Sequence, residues 1–183
     1  MADGEQCLSD DELARRARDG DMDGFEQIVR RYEGRLLRFL PLRTLSRQDA
    51  EDMAQATFVR AYRHLALYDP ARPFSPWLFT IARRLAVSHR RAERIHEELP
   101  RDIVDPADPR RALEAEEDGQ AVWLAARRMV SEDQFTALWL RYAEALPVRD
   151  IARIMGKTQV HVKVLLHRGR RALARPRRAG RRD

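Results

Sequence analysis

The chain has 183 residues, enough for one medium domain or two small ones, each with its own core but without room for an elaborate cleft. A formal net charge of +6 accompanies 35% charged residues, so acidic groups are plentiful and the basic excess matters only where it is concentrated. Cys7 is the only cysteine, which excludes a disulfide framework, a cysteine-rich zinc site and an intrachain redox pair.

Ser9-Asp10-Asp11-Glu12 reads as a capping box, and the helix it opens runs to about Gly20. Phe25, Ile28, Val29, Tyr32, Leu36, Phe39 and Leu40 then recur at helical spacing among Arg30, Arg31, Arg35 and Arg38. This predicts a longer second helix, broken or kinked around Pro41. Ser46 with Asp49 gives a further cap signature, and a third helix runs toward Tyr68 with Ala50, Met53, Ala54, Thr57, Phe58, Ala61 and Leu65 inward. Its outer positions, Asp49, Asp52, Gln55, Ala56, Val59 and Arg60, form a mixed surface whose plain reading is solvated charge.

The stretch Tyr68–Arg91 carries the most chemistry. Asp69-Pro70 and Arg72-Pro73 stiffen a short loop, because proline fixes its own φ and pushes the preceding residue toward extended geometry. Ser75-Pro76 predicts a helix start at Pro76. Leu78, Ile81, Ala82, Leu85 and His89 fall on one apolar stripe; Thr80, Arg83, Arg84, Val87, Arg91 and Arg94 lie opposite, with Trp77 at the border. A guanidinium face beside an aromatic and a rigid loop suits single-stranded nucleic acid, where cations track phosphates and a shaped pocket receives unstacked bases. An ordinary amphipathic helix with a solvated face fits the same residues.

From Arg94 to Ala112 the periodicity stops. The interval Glu93–Asp118 holds ten carboxylates against four arginines, with Pro100, Pro106 and Pro109 among them, and reads as a flexible or extended linker. Helical spacing returns at Leu113–Met129, and Ser131-Glu132-Asp133-Gln134 caps the helix of Phe135, Leu138, Trp139 and Tyr142. VRDIARIMGKTQVHVKVLLHRGRRAL then has the layout of a helix-turn-helix, with Gly156 at the turn and Thr158 as cap. Eight arginines lie between Arg168 and Arg182. The expected fold is all-α: two small helical domains, residues 1–94 and 121–183, joined by an acidic linker at 95–120.

No nucleophile–base pair or glycine-rich phosphate loop occurs, and the five histidines lack ligand spacing, so neither catalysis, a cofactor nor a metal is expected. No run approaches the roughly 18 apolar residues of a membrane span, and MADGEQCLSDDEL lacks a basic-then-apolar leader. A soluble protein of the cytoplasm, without membrane contact of its own, is expected.

Four segments together resemble the bacterial extracytoplasmic-function (ECF) sigma factors, the two-domain initiation factors of RNA polymerase. They are GDMDGFEQIVRRYEGRLLRFL, DAEDMAQATFVRAYRHL, RPFSPWLFTIARRLAVSHRR and the C-terminal helix-turn-helix. The resemblance covers nearly the whole chain, and it is the order and separation of the four that make it specific. It implies that Asp49, Asp52 and Gln55 face the β′ clamp helices of core RNA polymerase, which the chain would contact through β′ and β. It implies that Tyr68, Arg72, Phe74, Trp77, Arg83, Arg84, Ser88 and Arg91 serve the −10 element of promoter DNA. At the −35 element it implies Thr158, Gln159, His161, Lys163, His167, Arg168 and Arg171. An anti-sigma factor is the further partner implied.

The chain departs from the family pattern in places. Arg84 and Ser88 stand where the family often has asparagine and an acidic residue, Val164-Leu165-Leu166 follow Val162-Lys163, and Gly169 replaces the usual alanine. A glycine inside a helix costs about 1 kcal/mol relative to alanine, so the far end of that helix is expected to be less stable. Two other classes fit parts of the sequence: a free-standing helix-turn-helix regulator with a sensing or dimerising N-terminal domain, and an all-helical adaptor that binds only protein.

Overall fold

The computed structural model describes residues 8–40, 47–96 and 120–174, with the side chains of 47, 90–96, 120, 121 and 124 outside the description. The chain divides into two compact units, Met1–Arg101 and Asp102–Asp183. All described elements are helical. The first unit holds α1 (Asp10–Arg18), α2 (Met22–Phe39), α3 (Arg47–Arg63), a single 3-10 turn at Leu65–Leu67, and α4 (Phe74–His96). The second holds α5 (Gln120–Met129), α6 (Glu132–Tyr142), α7 (Val148–Met155) and α8 (Gln159–Leu173). The expected kink at Pro41, the Ser46 cap and the arginine tail beyond Ala174 fall outside the described residues, as does the acidic linker except for its ends, 95–96 in α4 and 120 at the start of α5.

In the first unit α1 packs on α2 and α4, and α3 packs on α2 and α4. Ser9 caps α1 by accepting from the Glu12 amide. The joint between α1 and α2 is polar: Tyr32 Oη donates to Asp10 Oδ2 at 2.7 Å, and Arg31 donates to Asp10 Oδ1 at 2.9 Å and to the Leu8 carbonyl at 2.7 Å. Burial works against the Asp10 carboxylate, but the hydrogen bonds from Tyr32 and Arg31 and the nearby Arg35 outweigh it and hold its pKa below the usual value. The inward stripe expected on α3 is buried at every position from Ala50 to Leu65. The α-helix itself ends at Arg63, and the 3-10 turn tightens the chain before Tyr68.

Two expectations for α4 are corrected. The helix begins at Phe74, two residues before Pro76, because its first amide is satisfied from afar: Phe74 N–H donates to Asp11 Oδ1 at 2.7 Å. A local serine is therefore not the cap, and α1 supplies it across 63 positions of sequence. The buried face is also rotated. Leu78, Phe79, Ala82 and Ala86 are buried, while Ile81, Leu85 and His89 are half-buried. Phe79 packs edge-on against Phe39 at 5.0 Å and Tyr32 at 6.3 Å, so truncating it would cost about 3–5 kcal/mol.

The second unit is built on α6, which is buried from Phe135 to Leu140 and packs on α5, α7 and α8. Ser131 and Gln134 form both halves of the expected capping box. Trp123 of α5 reaches Trp139 at 4.8 Å and Phe135 at 6.0 Å, and the Arg127 guanidinium lies 4.6 Å from the Phe135 ring centre. Gly169 has a packing reason that the sequence does not show. A Cβ there would meet Leu138 Cδ1 at 2.9 Å, so the missing side chain lets α8 lie close on α6.

Candidate nucleic-acid interface

The first candidate surface is the loop from Tyr68 into α4. Tyr68 is buried and its hydroxyl donates to the Arg72 carbonyl at 2.6 Å, tying the loop to the core. Burial, with the Asp11 carboxylate nearby, raises its pKa to about 12, so it stays a donor at neutral pH. Asp69 closes the turn: its side chain accepts from the Ala71 amide at 3.0 Å, its carbonyl accepts from the Arg72 amide at 3.0 Å, and its carboxylate pairs with Arg72 Nε at 3.1 Å. Stiffness thus rests on hydrogen bonds as well as on the two prolines.

Behind the loop lies an aromatic cluster. Tyr68, Phe74 and Trp77 have ring centres 5.4–5.5 Å apart, and Tyr32 meets Phe74 edge-on at 5.8 Å. Phe74 is fully buried and Tyr68 nearly so, so these two form the wall of the site and cannot themselves stack on a base. Trp77 is half-buried and offers the exposed edge of the cluster. Placed at the border by sequence, Trp77 is half-buried and shares a row with Thr80, Arg84 and Ser88, at i, i+3, i+7 and i+11. Arg84 and Ser88 are exposed; Arg83, half-buried, lies to the flank of that row, and Arg91 is on α4 with its side chain outside the description. Among the described side chains the row joins the Arg84 cation to one aromatic edge beside a fixed loop, an arrangement that can hold a phosphate and a flipped base.

A second surface runs along α3. Asp52 and Gln55 are exposed and Asp49 half-buried, all off the buried stripe. Val59 and Tyr62 extend the same outward side and are nearly half-exposed, Tyr62 resting on Phe25 with ring centres 5.1 Å apart. Tyr62 is not among the outer positions that the sequence singles out on this helix.

The third surface is α8. Gly156 has φ 62° and ψ 36°, the left-handed conformation that turns α7 into α8, and Thr158 caps α8 by accepting from the His161 amide at 3.2 Å. The turn is braced from α6 by Lys157, which pairs with Asp133 at 3.0 Å, and α7 is anchored by buried Asp150 against Arg153 at 3.2 Å. Val162, Leu165, Leu166 and Gly169 face the core, leaving Gln159, His161, Lys163, His167, Arg168 and Arg171 exposed together. Every α8 residue named from sequence is therefore at the surface, Thr158 as cap. Val160 and Val164, also exposed, are not among those residues. Among the described residues no cluster of three His, Cys, Asp or Glu is arranged to hold a metal ion.

Comparison with known proteins connects these surfaces. The family model for sigma-70 region 2 matches residues 28–95, and that for sigma-70 region 4 matches residues 123–173. The ECF RNA polymerase sigma factor BldN of Streptomyces coelicolor is 32% identical over 169 residues, which span 90% of this chain and 64% of BldN, just under two thirds of that protein's length. The RNA polymerase sigma factor CarQ of Myxococcus xanthus is 31% identical over 156 residues, spanning 84% of this chain and 89% of CarQ. Among solved structures, the sigma factor RpoE in complex with the anti-sigma factor NepR from Bartonella quintana shares the fold, with a TM-score of 0.64 at 24% identity, covering 83% of this chain and 95% of that one. With two ordered helical units, a helix-turn-helix in the second, and relatives of this identity matched over most of their length, the chain belongs to the ECF family of RNA polymerase sigma factors.

Proposed function

We propose that the chain directs promoter-specific initiation by binding core RNA polymerase and recognising the −10 and −35 promoter elements, acting through binding and not through catalysis. The observation that carries this reading is the presence in one chain, in order, of the two sigma-70 regions, the first with Arg84 exposed beside the Trp77 edge and the second with an exposed cationic helix face. The α3 face of Asp49, Asp52 and Gln55 meets the β′ clamp helices. The loop of Arg72 with Trp77, Arg84, Ser88 and Arg91 receives the −10 strand, Tyr68 and Phe74 shape its wall, and Arg83 contributes from the flank. Thr158, Gln159, His161, Lys163, His167, Arg168 and Arg171 place α8 in the major groove at the −35 element.

Residues 1–94 and 121–183 serve as the two working domains, with 95–120 as a tether that repels phosphate. Neither domain then needs tight affinity for DNA, because polymerase holds both and converts the second contact into an intramolecular one. Opening costs a few kcal/mol per unstacked base, which capture of one base in the α4 site offsets. No described helix is long and apolar enough to cross a membrane, consistent with work on polymerase in the cytoplasm. An anti-sigma factor is the regulatory partner this reading includes, in line with the RpoE–NepR complex.

The test is co-purification with core polymerase followed by transcription from a randomised promoter library. The expected result is a stable holoenzyme and enrichment of two spaced elements. Duplex binding to a single element without polymerase, and no holoenzyme, would instead fit a free-standing regulator.

A further inference from the structure

The outward pole of α8 carries two valines that are exposed among the described residues. Val162, Leu165, Leu166 and Gly169 are buried. The positions opposite them, spaced i, i+4, i+7 and i+11, are Val160, Val164, His167 and Arg171. Val160 is 72% exposed and Val164 39% exposed. A β-branched side chain on a solvated helix face gains no packing and restricts its own rotamers, so the helix itself gives no reason for them.

Their surroundings indicate what they meet. The Thr158 cap fixes the start of α8, which puts Val160 in its first turn and Val164 in its second. In a helix-turn-helix, residues near the N-terminus of the second helix are those that reach base edges. Between Gln159 and Leu173 there is no Asp or Glu, while Lys163 lies beside the two valines and Arg168, Arg170 and Arg171 follow in the later turns of the helix. An apolar patch on an otherwise cationic helix face is complementary to a polyanion with methyl groups in its groove. In the major groove of DNA, thymine alone presents a methyl group, and apolar side chains pair with it.

We propose that Val160 and Val164 read the 5-methyl groups of thymines in the duplex element that α8 enters, an inference that rests on the assignment of α8 as the −35 reader. The lysine and arginines hold the helix against the phosphates; the valines contribute sequence choice without a hydrogen bond. Valine in place of a polar reader at these positions favours elements with thymine on either strand.

The experiment uses the full chain assembled with core polymerase on a promoter recovered from the library, with each thymine of the −35 duplex replaced in turn by deoxyuridine. This removes one methyl and alters no hydrogen-bonding group. Open-complex formation should fall about fourfold at one or two thymines, the value of one buried methyl, and hardly at the others. In Val160→Ala or Val164→Ala, the thymine and deoxyuridine templates should become equivalent at the matching position. Both sites are exposed and alanine is the better helix former, so an unchanged circular dichroism spectrum is expected. Scrambling the −35 element serves as the control. If scrambling abolishes initiation yet no deoxyuridine matters, α8 reads the element but the valines do not, and the inference fails. If valine variants lose activity equally on both templates, the valines meet protein, and the inference fails. If scrambling changes nothing, the −35 assignment and this inference fall together.

Discussion

Removing the Asp11 carboxylate should loosen the start of α4 although the two are 63 residues apart. Asp11 Oδ1 accepts from the Phe74 amide at 2.7 Å, so Asp11→Ala leaves that partly buried amide without its acceptor. Losing a helix cap costs about 1 kcal/mol, and an anion at a helix N-terminus adds about 0.3–1 kcal/mol, giving a destabilisation of about 1–2 kcal/mol. For a unit of this size that corresponds to a fall in Tm of roughly 5–15 °C. The more pointed readout is local. Phe74 packs on Tyr68, Trp77 and Tyr32, so amide exchange should accelerate at Phe74 and along the first turn of α4, with the protection of α6 and α8 unchanged. Asp11→Asn retains an acceptor oxygen and loses only the charge, so it should keep at least half of the lost stability. Hydrogen exchange by mass spectrometry or NMR, alongside thermal melts, measures both. An Asp11→Ala protein with wild-type exchange at Phe74, or an Asp11→Asn protein as damaged as Asp11→Ala, would refute the reasoning.

Gly169→Ala should destabilise the second unit by about 1 kcal/mol in denaturant melts, because overpacking against Leu138 costs about 1–3 kcal/mol and the gain in helix propensity returns only about 1. Asp10 has a folded pKa below its unfolded value, so its contribution is present above about pH 4 and is lost as pH falls through the folded pKa; Asp10→Asn should flatten the stability profile of the first unit below pH 4. Asp52→Ala with Gln55→Ala should leave the helical spectrum unchanged, since both are exposed, and weaken binding in a titration against core polymerase. Lys163→Ala or Arg171→Ala should lower holoenzyme affinity for promoter duplex and reduce the salt slope by about 1 for each phosphate left without its cation.

The elements whose signals are local are legible in the sequence: the Ser131–Gln134 box, the left-handed Gly156, the Thr158 cap and the buried stripe of α3 each depend on residues within one or two turns. The features that sequence does not reveal share a different cause. The start of α4 depends on a carboxylate from α1, and no window around Ser75-Pro76 contains it. Phe79 falls on neither face read from sequence because the apolar positions of α4 admit two stripes, and only the Tyr32 and Phe39 rings select the one that turns Phe79 inward. That choice sets Trp77 in line with Arg84 and Ser88 and sends Arg83 to the flank.

The same dependence on partners separates the two kinds of site residue. On α8, exposure follows from the helix period once Val162, Leu165 and Leu166 are recognised as core, so its candidate surface can be read in advance. At the α4 site, Tyr68 and Phe74 carry residue types suited to base stacking, yet their rings are consumed by the cluster with Tyr32 and Trp77. Their part is to fix the loop: the Tyr68 hydroxyl holds the Arg72 carbonyl, and Phe74 seats the first turn of α4 against α1. A pocket that must accept an unstacked base gains more from a wall that does not move than from another exposed ring, because a preformed loop has less ordering entropy to lose on binding. The proline pairs, the Asp69 turn and the remote Asp11 cap all act in that direction, so under the proposed function residues that touch no nucleic acid are expected to tune melting alongside the arginines proposed to contact it.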